Sequence, residues 1–124
     1  MKELTKAEEQ IMQVLWDIGK GFVHDFIEHI PEPKPAYNTV STIIRILEKK
    51  GFIHHKKYGK TYEYYPSVTK SDYTTLYMKK LIRNYFGGSF KQMVSFFTNE
   101  NNLDLKELDE IKKLMEEKIN NNKE

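Results

Sequence analysis

The amino-acid sequence predicts a mainly α-helical protein with one small β-hairpin, divided into two parts. Apolar residues recur at helical spacing in most of the chain, whereas residues 52–66 change to an extended pattern rich in aromatic and β-branched side chains. A glycine-centred turn divides that extended stretch, as in a hairpin. The 124 residues include no cysteine, so the chain can form neither a disulfide framework nor a thiolate metal site.

The first two helices are predicted from their ends. A capping box of Thr5 and Glu8 begins the first helix, and Gly19 ends it. We expect a very short strand at Phe22 and Val23, followed by a second helix over residues 24–30. Prolines at positions 31, 33 and 35 interrupt the helical pattern before the third helix begins.

The third helix, predicted over residues 36–50, carries two contrasting faces. Apolar residues from Val40 to Leu47 have the spacing of a helix packed on a core. The opposite face begins with short polar side chains and ends in cations, in the order Asn38, Thr39, Ser41, Thr42, Arg45, Lys49 and Lys50. Such a face suits DNA, because short polar groups read base edges and cations contact phosphates.

Positive charge is concentrated in the middle of the chain. The net charge is only +2, but residues 33–70 hold eight Lys and Arg against two acids. A local field of this kind attracts a polyanion. We therefore predict phosphate contacts from the cations at the end of the third helix and on the hairpin, which are Arg45, Lys49, Lys50, Lys56, Lys57 and Lys60.

The order of three helices and a hairpin predicts a winged helix-turn-helix domain over residues 1–68. In that arrangement the third helix enters the major groove of DNA, and the hairpin, or wing, reaches the phosphate backbone.

Residues 69–124 predict a helical dimerisation subdomain. Three amphipathic helices are expected after the potential N-caps Thr69, Ser89 and Asp104. Because so short a segment encloses too little volume for a core of its own, we expect its apolar stripes to meet a second copy of the chain. The residues expected at this homodimer interface are Tyr73, Tyr77, Leu81, Phe90, Met93, Phe96, Phe97, Leu108, Ile111 and Met115. The alternative is a monomer in which these helices pack back on the winged helix.

Four stretches of the chain carry a resemblance to a known family. Leu4–Trp16 is similar to that family's opening pattern, and Tyr37–Gly51, which contains T-V-S-T-I-I-R-I-L-E-K-K-G, is similar to its recognition helix. Lys60–Tyr64 resembles the wing, and Phe86–Ser89 resembles the loop before the penultimate helix. As a set, extending from Leu4 to about Ile119, they resemble the penicillinase-repressor (BlaI/MecI/CopY-type) family.

This resemblance implies a transcriptional repressor that binds a dyad-symmetric DNA operator as a homodimer. It also implies that the start of the third helix reads bases, through Asn38, Thr39 and Thr42, with Tyr37 and Ser41 beside them. Asn38 stands where many relatives have Lys, and an Asn can pair with adenine through two hydrogen bonds.

The resemblance further implies how repression ends. In several relatives a membrane-bound sensor leads to proteolysis of an Asn–Phe bond in the penultimate helix. The corresponding bond here is Phe96–Phe97, so the Asn is absent. A membrane-bound sensor protease system is the expected partner. Copper sensing through a C-terminal cysteine cluster, as in other relatives, is excluded because there is no cysteine.

No catalytic residue, metal ligand set or cofactor is predicted. His54 and His55 are adjacent and point to opposite faces of a strand, and His24 and His29 have a poor ligand spacing.

Two other functions stay open: a ligand-responsive regulator whose aromatic helices enclose a small molecule, and a winged helix used only for protein–protein contact. We expect no membrane insertion and a cytoplasmic location, because the sequence has neither a long apolar run nor a signal-peptide core.

Overall fold

The computed structural model describes residues 2–99 and 103–123, which form six α-helices and one antiparallel hairpin. This architecture confirms the predicted fold class, a mainly α-helical chain with a wing after its third helix. The chain separates into a first unit, Met1–Tyr77, and a second unit, Met78–Glu124. The elements are α1 (Lys6–Ile18), α2 (Val23–Glu28), α3 (Tyr37–Lys49), β1 (Ile53–Tyr58), β2 (Thr61–Pro66), α4 (Lys70–Phe86), α5 (Phe90–Asn99) and α6 (Leu105–Asn121).

The capping box at the start of α1 forms as predicted. Thr5 Oγ1 accepts a hydrogen bond from the Glu8 N–H at 3.2 Å, and Glu8 Oε1 accepts one from the Thr5 N–H at 2.9 Å. Two of the backbone N–H groups that a helix leaves unpaired at its start are thereby satisfied.

The prediction of a short strand at Phe22 and Val23 is wrong in position. The extended contact lies at Gly21, whose N–H and C=O pair with Tyr64 of β2 at 2.9 and 2.8 Å. Val23 already belongs to α2, because the Asp25 carboxylate accepts the Phe22 N–H at 2.8 Å and caps the helix one residue earlier than expected.

Lys34 stabilises the proline-rich turn between α2 and α3. Its Nζ donates hydrogen bonds to the carbonyl oxygens of Ile30 at 2.7 Å and Ile27 at 2.9 Å. Ile27 lies in the last turn of α2, where its carbonyl also accepts the Ile30 N–H at 3.1 Å, and Ile30 lies two residues beyond the helix. One cation of the basic middle segment is therefore used inside the fold.

Two glycines turn the chain on either side of β1. Gly51 follows Lys50, the residue that caps the end of α3, and has a φ angle of 87°. Gly59 is the first residue of the two-residue hairpin turn and has a φ angle of 61°. Only glycine adopts such left-handed conformations without strain. A Cβ would meet nothing within 4 Å at either position, so a substitution would cost backbone strain and no packing.

The core of the first unit lies where α1, α2 and α3 meet the base of the hairpin. Its fully buried large side chains are Ile11, Met12, Leu15, Phe26, Val40, Ile44, Leu47, Phe52 and Ile53. The apolar stripe predicted for α3 lies in this core, with Ile43 partly buried beside it. Because that stripe is fixed inward, the polar face of α3 is turned to solvent.

Tyr73 of α4 belongs to this core, which corrects its expected place at a subunit interface. It is only 6% exposed, and its hydroxyl accepts the Leu4 N–H at 3.1 Å. Its ring centroid lies 5.9 Å from that of Trp16 and 5.8 Å from that of Phe52. The start of α4 thus packs on the winged helix, so the division after Tyr77 falls later than the predicted boundary at residue 68.

The second unit has no buried side chain among its described residues, 78–99 and 103–123. Its helices are amphipathic, but their apolar sides stay accessible to water. Phe96 contacts the rings of Phe86 and Phe97, with centroids 5.7 and 5.6 Å apart. The large apolar residues that remain more than two-fifths exposed are Tyr85, Phe90, Phe96, Phe97, Leu105, Leu114, Met115 and Ile119.

None of the helices in the described part of the chain is both long and apolar enough to cross a membrane.

Candidate nucleic-acid interface

The start of α3 presents a polar surface. Four of the five predicted base-reading residues are exposed, namely Tyr37, Asn38, Thr39 and Thr42, and Ser41 is half-buried. One turn further along, Arg45 donates a hydrogen bond from Nη2 to Ser41 Oγ at 3.3 Å. This bond fixes the guanidinium along the helix while leaving its other N–H groups free to reach a phosphate.

A groove of about 700 Å³ separates α3 and the start of α2 from the wing. Tyr37, Ser41, Arg45 and Glu48 line one wall, as a stripe along α3 with a period of three to four residues. Lys60, Thr61 and Tyr62 line the opposite wall at the end of the wing. The groove therefore places cations on both walls, which suits a strand of phosphates.

The three predicted lysines of the wing do not share one face. Side chains alternate along β1, so Lys57 lies on the same face as His55, whereas Lys56 lies on the other. Lys56 holds its Nζ 5.3 Å from the ring centroid of Tyr58, a neighbour on that outer face. Lys60 lines the groove, whereas Lys57 and Lys56 lie on opposite faces of β1 beside it.

Lys50 is placed elsewhere, which corrects its predicted phosphate contact. Its Nζ donates to both carboxylate oxygens of Glu8, at 2.7 and 2.8 Å. Burial alone would raise the pKa of the Glu8 carboxyl, but the hydrogen bonds from Lys50 and from the Thr5 N–H outweigh it and lower that pKa. An ammonium held in this way by a buried carboxylate is not available to DNA.

Sequence reasoning missed a cluster at the inner end of the groove. His55 of β1 hydrogen-bonds through Nδ1 to the Glu48 carboxylate of α3, and its ring stacks on that of Tyr62 with centroids 4.3 Å apart. Tyr64 lies beside them, and its burial, followed by the nearby Glu48 charge, raises the pKa of its hydroxyl. The alternation that places His55 and His54 on opposite faces was visible in the sequence, but the carboxylate facing His55 was not.

A second missed contact involves Tyr37, the first of the predicted base-reading residues. The ring of His24, at the start of α2, lies 5.2 Å from that of Tyr37. This contact fixes Tyr37 at the edge of the groove, with 48% of its surface exposed. Among the residues that the structure describes, no group of three or more His, Asp and Glu side chains could hold a metal ion.

Comparison with known proteins gives consistent matches. Residues 4–117 match the family model described as penicillinase repressor. The chain is 31% identical over 117 residues to the methicillin resistance regulatory protein MecI of Staphylococcus aureus (strain N315), which covers 94% of this chain and 95% of that protein. It is 26% identical over 123 residues to the penicillinase repressor of Bacillus licheniformis, with 98% and 96% covered.

A solved structure agrees with these matches. The DNA-binding domain of the repressor BlaI is similar with a TM-score of 0.50 and 28% sequence identity, over 59% of this chain and 94% of that domain. The match to the family model spans nearly the whole chain, and this family consists of transcriptional repressors and not of enzymes. The chain therefore belongs to the penicillinase repressor family, as a DNA-binding transcriptional repressor with a winged-helix fold.

Proposed function

We propose that the chain represses transcription as a homodimer on a dyad-symmetric DNA operator, with one α3 in the major groove of each half-site. The observation that carries this proposal is the polar surface at the start of α3, which continues into the exposed cations Arg45 and Lys49. Short polar groups reach base edges, and cations behind them reach the phosphates that flank the groove. As a repressor it would act in the cytoplasm, where bacterial DNA lies.

The residues divide into two roles. Base reading falls to the residues that reach furthest from α3, which are Tyr37, Asn38, Thr39, Ser41 and Thr42. Phosphate binding falls to Arg45 and Lys49 of α3 and to Lys57 and Lys60 of the wing, with Lys56 as a peripheral contact. The groove between α3 and the wing is lined by Arg45 and Lys60, on opposite walls, and would receive one phosphate strand.

The second unit supports the homodimer. No side chain of its described residues is buried, although Phe90, Phe96 and Phe97 are 56, 48 and 43% exposed. Several exposed aromatic residues on one short helix are typical of an interaction surface. A twofold-symmetric contact would bury this surface on both copies of the chain. We assign to this interface Tyr77, Leu81, Phe90, Met93, Phe96, Phe97, Leu108, Ile111 and Met115.

We further propose that a signal-dependent proteolytic step, directed by a membrane-bound sensor system, ends repression at Phe96–Phe97. Both residues are roughly half-exposed and lie in α5, whose end would have to unwind for a protease to reach the bond. Cleavage there would separate α6 from the rest of the chain and remove Leu108, Ile111 and Met115 from the interface. Loss of the dimer would then lower the affinity for a two-half-site operator.

Selection of binding sequences from random duplexes by the purified full-length protein tests the proposal. We expect inverted repeats whose half-sites are centred about one helical turn, or a near multiple, apart. Recovery of no sequence motif, together with an affinity that does not change with salt, would contradict both base reading and phosphate binding.

A further inference from the structure

Glu48 places a negative charge in a groove that we propose binds phosphate. It lies on the wall of the groove formed by α3, in line with Ser41 and Arg45. A carboxylate that faces a phosphate repels it, and such juxtaposition of like charges lowers affinity and selects against the wrong partner. Asp25 of α2 is the other carboxylate that lines the groove, and it accepts the Phe22 N–H at 2.8 Å at the start of that helix. Neutralising Glu48, which lies beside Arg45, would therefore favour phosphate binding in the groove.

His55 is the group that can do so. Its Nδ1 is hydrogen-bonded to the Glu48 carboxylate, and the two side chains are 35 and 29% exposed, so solvent protons reach both. The stacked ring of Tyr62 and the edge of Tyr64, with centroids 4.3 and 6.1 Å away, hold the imidazole in place. The bond joins α3 to the wing, the two elements that must be spaced correctly to hold one duplex.

The charges around His55 differ between the free protein and a DNA complex. Arg45 of α3, Lys60 of the wing and Asp25 of α2 line the same groove as Glu48, and Lys57 lies on the same face of β1 as His55. In the free protein the cations oppose the positive charge on the imidazole that the Glu48 carboxylate favours. Burial raises the pKa of the Tyr64 hydroxyl, so Tyr64 contributes no charge at neutral pH. Bound phosphates would cancel the cations, which leaves Glu48 and the phosphates to favour the imidazolium.

We propose that DNA binding is coupled to the uptake of a proton at His55, whose imidazolium neutralises Glu48 and holds the wing at its spacing from α3. His55 is a positioning residue here: it acts on DNA through Glu48 and the wing. The inference rests on the proposed DNA-binding function and adds to it a dependence on pH.

The sign and size of the effect follow from proton linkage. A proton held in the complex and absent from the free protein makes affinity fall as pH rises, by up to tenfold per pH unit for each proton. A dimer that takes up one proton in each subunit would therefore lose up to about a hundredfold per pH unit.

The test measures the affinity of the full-length protein for a random-sequence duplex of about 30 base pairs at about 50 mM salt, where non-specific binding is tight enough to follow. The natural protein, His55→Gln and His54→Gln are compared from about pH 5.5 to 8.5. His54 is the matched control, because it points to the opposite face of β1 and contacts Tyr65 at 6.0 Å. We expect the affinity of His54→Gln to depend on pH as that of the natural protein does. We expect the affinity of His55→Gln to be independent of pH and as low as that of the natural protein at high pH.

A further variant separates positioning from direct contact. If His55 acts by neutralising Glu48, the double variant His55→Gln with Glu48→Gln should bind at every pH about as tightly as the natural protein at low pH. A double variant as weak as His55→Gln alone would mean that His55 contacts DNA itself, which would overturn the proposal. Glu48→Gln alone, which should bind more tightly than the natural protein at high pH, keeps the test valid if His55→Gln does not fold.

Two other outcomes are distinguishable. A natural protein that binds the duplex with no pH dependence, or a His55→Gln variant that retains it, overturns this inference and leaves DNA binding intact. A natural protein that binds no duplex at any pH overturns the proposed function and this inference together.

Discussion

The buried carboxylate of Glu8 and the ammonium of Lys50 form an ion pair with N–O distances of 2.7 and 2.8 Å, across 42 positions of the chain. Glu8 lies in the first turn of α1 and Lys50 directly follows α3, so the pair fixes the end of α3 where the chain turns into the wing. One lysine of the basic segment is thereby part of the fold, and its neighbour Lys49 stays exposed for DNA.

The first prediction concerns stability and pH. Because the pKa of Glu8 is lower in the folded chain than its ordinary value of 4.5, the unfolded chain binds more protons in the pH range between these two pKa values. The ion pair therefore contributes its full stability above the ordinary pKa, and this contribution is lost as pH falls through the folded-state pKa. Chemical unfolding of the natural protein and Glu8→Gln should differ by about 1–3 kcal/mol at neutral pH and converge in acid.

The matched control is Glu9→Gln, one position along α1, where the side chain is half-buried. It should change the free energy of unfolding by less than about 0.5 kcal/mol at any pH. A Glu8→Gln variant as stable as the natural protein at neutral pH would show that the ion pair contributes nothing net.

The second prediction separates base readers from phosphate contacts. Thr42→Ala and Asn38→Ala should each lose about 1–3 kcal/mol of discrimination at one defined base position, because a hydrogen bond to a base edge is removed. Lys49→Ala should weaken binding to selected and random duplexes by the same factor. Competition titrations with both duplexes measure the difference; equal weakening by Thr42→Ala on both would reassign Thr42 to the backbone.

The third prediction distinguishes lysines that contact phosphates from lysines that do not, by the salt dependence of DNA affinity. Removing a cation that contacts one phosphate reduces the slope of log affinity against log salt by about 0.9. Lys60→Ala should show this reduction, because Lys60 lines the groove. Lys50→Gln should keep the slope and instead lower stability, since it leaves Glu8 buried without its partner. If Lys50→Gln is as stable as the natural protein and its affinity depends less steeply on salt, Lys50 contacts a phosphate of the DNA.

The fourth prediction concerns the subunit contact. Phe96→Asp puts a charge into the proposed interface and should convert the dimer into a monomer. Tyr73→Phe, the contrasting variant, removes the hydroxyl that accepts the Leu4 N–H and should cost about 1 kcal/mol of stability without changing the oligomeric state. Sedimentation velocity distinguishes them, and a Phe96→Asp variant that still sediments as a dimer would place the interface elsewhere.

The sequence predicted the elements of this fold well because their signals are local. The capping box of Thr5 and Glu8, the apolar stripe of α3 and the left-handed Gly51 and Gly59 each depend on residues within a few positions of one another. The one local error, the strand at residues 22–23, arose because Asp25 caps α2 earlier than the pattern suggested.

The site was predicted less completely, because the charge of a residue does not show whether it pairs with another residue of the chain or stays free for DNA. Lys50 and Lys49 look equivalent in the sequence, yet the partner of Lys50 lies 42 positions away. Tyr73 looked like part of an apolar stripe, but the N–H it accepts comes from Leu4, 69 positions earlier. The pairing of Glu48 with His55 likewise depends on how the wing folds back on α3.

The central claim is that two copies of this chain bind one duplex through α3 and the wing. Sedimentation equilibrium of the full-length protein, mixed with the duplex recovered by selection, tests it most directly. We predict two chains for each duplex in the complex, formed from a dimer already present without DNA. A protein that stays monomeric and does not sediment with the duplex would contradict the account.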